Sequence, residues 1–88
     1  MIETTPEKWQ WDPGRQEVRF CAWQNGILVM CRISREAIED RCPHPPTAGA
    51  CVEAAREHVV DVTARLSDLL AQGRFENDGS LLLRSGDW

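Results

Sequence analysis

Cys42, His44, Cys51 and His58 are the residues whose types could hold a metal ion. Thiolate and imidazole are both good zinc ligands, and four of them would close a tetrahedral shell. Their spacing works against that. No Cys-x-x-Cys pair is present, and seven residues of helix between Cys51 and His58 would set those two about 10 Å apart. The four stay weak candidates, and no metal or other cofactor is implied. Cys51 carries a second possibility. It falls in the first turns of an expected helix, where the dipole and free amides lower a thiol pKa. No resolving cysteine is adjacent, however, and small buried cysteine is the commoner state. Glu36, Glu39 and Asp40 read as a solvated helix face rather than an acid–base pair. No serine or cysteine lies in a nucleophile elbow, and no glycine-rich loop resembles a phosphate cradle. The sequence assigns no catalytic residue and points away from an enzyme.

Arginine and tryptophan offer more. Arg15, Arg19, Arg32, Arg35 and Arg84 are spread over the segments around an expected hairpin. Arg19 and Arg32 fall opposite one another on its outer face, where like charges cost stability. Either an acid neutralises them, with Glu17 the nearest, or they await an anionic partner. Trp9, Trp11, Trp23 and Trp88 exceed what so small a core needs, so some should stay partly exposed, as at interfaces. The candidate interaction surface is therefore Trp23, Leu28, Met30, Arg19 and Arg32.

The elements that position these residues follow from local pattern. Val52, Ala55, Val59, Val62, Leu66 and Leu69 form one apolar stripe at helical spacing. This predicts a long helix over Thr47–Gln72, with Thr47 as N-cap after Pro45-Pro46 and Gly73 as the left-handed residue beyond its end. Glu53, Glu57, Asp61 and Asp68 take the solvated side. Unbroken, the helix would run close to 40 Å, against roughly 30 Å for a compact domain of this size. It should bend, end early or overrun its sheet.

Asn25-Gly26 is the strongest hairpin signal. With those two as the loop, Ala22 pairs with Val29, Phe20 with Cys31 and Val18 with Ile33. That gives one wholly apolar face, while the other face pairs Trp23 with Leu28 and Cys21 with Met30. Cys21 and Cys31 lie on opposite faces and should not form a disulfide. Ser34 suits an N-cap for a short helix, Arg35–Arg41, which the prolines from Pro43 onward terminate. Met1–Lys8 reads as a frayed start, followed by a short edge strand over Trp9–Asp12. Arg74–Glu76 reads as a brief strand, Asp78-Gly79 as a turn and Ser80–Arg84 as a closing strand. Its three successive leucines imply burial on both faces or a contact outside the domain.

The 88 residues suit one domain spanning 1–88, with a core near the small end of what folds unaided. A net charge of −4 argues against nucleic acid, since phosphate binding wants a positive field. No apolar run is long enough for a membrane span. The polar start differs from a signal peptide, and four cysteines without one point to reduced thiols and the cytoplasm.

In this order the elements resemble a known family, the small bacterial proteins grouped as domain of unknown function 1488. The residues that carry the resemblance are Val18-Arg19-Phe20, then Asn25-Gly26 and the run from Cys31 to Ile38. Further on they are Ala55-Arg56-Glu57-His58, Asp78 to Leu83, and Asp87-Trp88. This chain departs from the pattern at Cys42–Pro46, which is rich in proline. The resemblance implies a small α+β fold and supplies no activity, cofactor or site residue.

The expectation is thus an α+β domain, an antiparallel sheet of a β-hairpin plus a C-terminal strand, packed against one long and one short helix. The expected role is a small non-catalytic interaction or regulatory module, with a homodimer favoured over an unknown protein partner. Two other classes stand as alternatives: a nucleic-acid-associated regulator using the arginine-bearing hairpin face, and a thiol or metal-binding protein.

Overall fold

The computed structural model describes residues 2–42 and 47–88. Along the chain run β1 (Glu3–Thr4), one turn of 3-10 helix at Pro6–Lys8, β2 (Gln10–Asp12), β3 (Glu17–Gln24) and β4 (Ile27–Ser34). They are followed by α1 (Arg35–Arg41), α2 (Ala48–Glu57), α3 (Val59–Ala71) and β5 (Leu81–Leu83). The five strands form one mixed, mostly antiparallel sheet with the helices on a single face, an α+β fold.

The hairpin sets the register. Asn25 and Gly26 have φ of 53° and 79°, as a type I′ turn requires. The pairing then runs as expected, from Gln24 opposite Ile27 to Val18 opposite Ile33. Asn25→Val is expected to cost about 1–3 kcal/mol, because a β-branched residue is strained at positive φ. Asn25→Gly should be near neutral. Urea denaturation of the two variants checks this, and an unchanged Val variant would mean the turn does not hold the register.

Val18, Phe20, Ala22, Val29, Cys31 and Ile33 point to the helices and are buried. Val52, Ala55, Val62, Leu66 and Leu69 of the helical stripe close over them, with Ile38 from α1. Ser34 Oγ accepts the Ala37 amide and Thr47 Oγ1 the Ala50 amide, so both N-caps form as read. At the other end Arg74 N–H bonds Leu69 O and Gly73 N–H bonds Leu70 O, a Schellman closure with Gly73 at φ 67°.

Four expectations are corrected. The long helix is two helices. His58 leaves helical geometry at φ −105°, ψ 25°, and its amide turns back to Ala55 O. A straight helix from Ala48 to Ala71 would be about 36 Å long, equal to the longest dimension of the 36 × 24 × 24 Å molecule. Breaking it lets α2 follow β2 and β3 while α3 follows β5. The β-branched Val59 and Val60 just after the break weaken its hold on helix.

The closing strand is parallel to its neighbour, with Cys31 opposite Leu81 and Ile33 opposite Leu83. The chain returns to the sheet after crossing one face in helices, and such a crossover delivers a parallel strand. Leu81 and Leu83 are buried and Leu82, between them, is half-exposed. Arg74–Glu76 forms no strand; Glu76 instead closes the Asp78-Gly79 turn through its amide to Ser80 O.

The amino-terminal segment is ordered. Ile2 and Trp9 are 3% and 2% exposed, and β1 and β2 both pair with β3 along one edge, at Trp23–Ala22 and at Arg19–Glu17. The Trp9 indole stacks on Phe20 with centroids 4.0 Å apart. It supplies an anchor that makes fraying costly.

Candidate functional site

Alternation along the hairpin sends Arg19, Cys21 and Trp23 of β3, and Leu28, Met30 and Arg32 of β4, to the face opposite the helices. The pairs are Trp23–Leu28, Cys21–Met30 and Arg19–Arg32, with the Cys21 and Met30 sulfurs 3.4 Å apart. Trp23, Leu28 and Met30 are 39%, 56% and 41% exposed, so no helix among the described residues covers them.

The amino-terminal segment raises a wall along one side. Trp9 Nε1 donates to Thr4 Oγ1 at 3.0 Å, and Thr4 Oγ1 donates to Cys21 O at 2.9 Å. The Arg56 guanidinium from α2 clamps the same segment, donating to the carbonyls of Pro6, Glu7 and Trp9. So held, Thr5, Lys8 and Gln10 stand beside Trp23, Cys21, Leu28, Met30 and Arg19, enclosing a groove of about 590 Å³.

The two outward arginines have different fates. Arg32 is held by both Glu17 oxygens, at 2.8 and 3.0 Å, and donates to Ser80 Oγ at 3.0 Å. Its guanidinium is pushed above its ordinary pKa chiefly by the Glu17 bond. The neighbouring Asp78 carboxyl is lowered to about 2 by its Ser80 hydrogen bonds, then by Arg32 and Arg15. Its contribution to stability is therefore complete above the ordinary value of 3.8 and lost as pH falls through about 2. Arg19 has no such partner. Of the ten Lys and Arg side chains, eight lie within 4.0 Å of a carboxylate among the described residues. The two without one are Lys8 and Arg19, and both line the groove.

The other candidates are dispersed. Cys42 is half-buried, Cys51 is fully buried in α2, and His58 sits at the α2–α3 break; His44 lies outside the described residues. No cluster of three metal-ligating residues occurs among those described. Burial pushes the Cys51 thiol up, outweighing the downward pull of Arg35, which opposes a helix-activated thiolate there. Burial takes Cys31 to about 12. All four cysteines are free, and Cys21 is the exposed one.

His58 meets the Trp88 ring edge-on at 5.5 Å. Trp88 Nε1 donates to Asp61 at 2.6 Å and Arg41 covers the ring, so Trp88 plugs the helix break. Glu39 pairs with Arg35 and Asp40 bonds Ser85; Glu36 is exposed.

Reading the sequence located the apolar strip but missed Thr5, Lys8 and Gln10. A tryptophan at Trp9 flanked by polar residues was the available sign that its segment docks.

The family model described as "Protein of unknown function (DUF1488)" matches residues 5–83. The search among curated proteins found no match. The crystal structure of a protein of unknown function of the same family, from Shewanella loihica PV-4, is 20% identical. It superposes with a TM-score of 0.82 over 93% of this chain and 90% of that one, a likeness of fold.

Proposed function

The chain belongs to the DUF1488 family, whose description carries no chemistry, and from that premise we propose that it is a small cytoplasmic, non-catalytic docking module of a bacterial cell. Its working surface is the outer sheet face around Trp23, Leu28 and Met30. One observation carries this reading: three large apolar side chains stand exposed in one strip with a built wall beside them. Exposed contiguous apolar surface marks contact sites, and tryptophan and methionine are enriched in them. The four free thiols support a reducing compartment. No helix among the described residues is long and apolar enough to cross a membrane. The arginine pair gives less support to nucleic-acid binding, because Glu17 holds Arg32 and the chain carries a net charge of −4.

The test is affinity capture from bacterial extract on immobilised wild type and on Trp23→Ser, with quantification of what is retained, this chain included. Proteins held by the wild type and lost from the variant are expected. Identical retention on both would remove the sheet face as the working surface.

A further inference from the structure

We propose that the partner of the outer sheet face is a second copy of this chain, related by a two-fold axis that runs across the strands above the Cys21–Met30 pair. This deepens the docking reading and rests on it. The face is organised in rows across the strands. Glu3, Trp23 and Leu28 form one row, Cys21 and Met30 the middle one, and Gln10, Arg19 and Arg32 the third. The outer rows are four residues apart, about 14 Å. Glu3 at one end is exposed and has no cation within 4.0 Å among the described residues. Arg19 at the other end, and Lys8 on the wall beside the groove, have no carboxylate within 4.0 Å among the described residues. The face therefore carries opposite unpaired charges at its two ends with an apolar strip between.

Such a pattern is self-complementary in one orientation. A two-fold across the strands exchanges the end rows and keeps each strand over its own copy. It lays Trp23 over the partner's Arg19, a cation–π arrangement, and brings Glu3 to the partner's Lys8 side. Cys21 and Met30 meet their own copies at the axis. A two-fold along the strands would instead stack the Arg19–Arg32 row on itself, with like charges opposed. Charge thus selects the axis, as an isologous interface requires.

Size sets the strength. With eight residues each from β3 and β4, three each from β2 and β5 and two from β1, the sheet face is roughly 400 Å² per copy, below the standard size for a specific interface. The dimer should form at high micromolar concentration and dissociate on dilution.

Sedimentation equilibrium over a concentration series tests this on wild type, Trp23→Ser, Glu3→Lys, Lys8→Glu and Val60→Ser, each checked for an unchanged thermal melt. The wild type should rise from one-chain to two-chain mass. Trp23→Ser and each charge reversal should stay at one-chain mass, and an equimolar mixture of Glu3→Lys with Lys8→Glu should recover two-chain mass. Val60→Ser, which alters an 80% exposed apolar residue on α3, should match wild type. A short bismaleimide should link two copies through Cys21, and Cys21→Ser should abolish the link while Cys42→Ser keeps it. A monomer at every concentration overturns the proposal, as does a dimer that Val60→Ser abolishes and Trp23→Ser leaves intact. A dimer through this face without charge-swap recovery or a Cys21 link overturns the axis. If the protein is monomeric yet Trp23→Ser still loses captured proteins, the docking surface stands and its partner is a different protein.

Discussion

Trp9→Ala is expected to destabilise the domain by about 3–5 kcal/mol, the range for emptying a buried aromatic site. Against the roughly 5–15 kcal/mol that stabilises an ordinary domain, that loss approaches global unfolding. Trp9 is 2% exposed, stacks on Phe20 and donates its indole N–H to Thr4. Removing it opens a cavity beneath β3 and releases the tie between β1 and β2. Trp9→Phe should recover most of the stability, losing the hydrogen bond and a part of the volume. Urea denaturation followed by circular dichroism reads both variants. A loss under about 1 kcal/mol for Trp9→Ala would show that the segment adds little to the core.

The second large effect lies at the Arg32–Glu17 pair, whose side chains are 15% and 9% exposed. Arg32→Met should cost about 3 kcal/mol, since it leaves the Glu17 carboxylate buried without a partner and Ser80 with one bond fewer. Replacing both, Arg32→Met with Glu17→Leu, should cost far less than either change alone. Desolvating two charges offsets most of what their attraction contributes. A double-mutant cycle from denaturation curves gives the coupling. Strictly additive losses would mean that the ion pair is incidental.

These two sites also show what is legible in the chain before folding. Elements specified by local chemistry were read correctly: the Asn25-Gly26 turn and its register, Ser34 and Thr47 as caps, α1 between Ser34 and the prolines, and Gly73 as the left-handed stop. In each, the deciding interaction spans a few residues. The break at His58 was not located, though a bend was foreseen. The apolar stripe keeps its phase from Ala55 to Val62, and neither proline nor glycine marks the turn. Only the distance between the elements under α2 and α3 demands it. The parallel sense of β5 depends on the path of the whole crossover.

The candidate site divides in the same way. The strip of Trp23, Leu28 and Met30 follows from a period of two, and Glu17 was named as the neutralising acid for Arg32. Which cations stay unpaired is invisible in sequence, because partners such as Asp78 for Arg15 and Asp61 for Arg41 come from distant segments. Lys8 went unnoticed because its segment is held by long-range contacts from Arg56 and Phe20.

Ser34 is both the last residue of β4 and the N-cap of α1, so strand and helix meet with no residue of slack. A slip of β4 by one position against β3 would turn Val29, Cys31 and Ile33 outward. It would also rotate α1 by about 100°, carrying Ala37 and Ile38 off the core. A misaligned hairpin therefore cannot be partly rescued by a correctly seated helix, because one error spoils both surfaces. With the Asn25-Gly26 turn fixing one end of β4 and the Ser34 cap the other, the joint works as a proofreading device for strand alignment. An extra residue inserted between Ile33 and Ser34 would disable it by letting the two ends err independently.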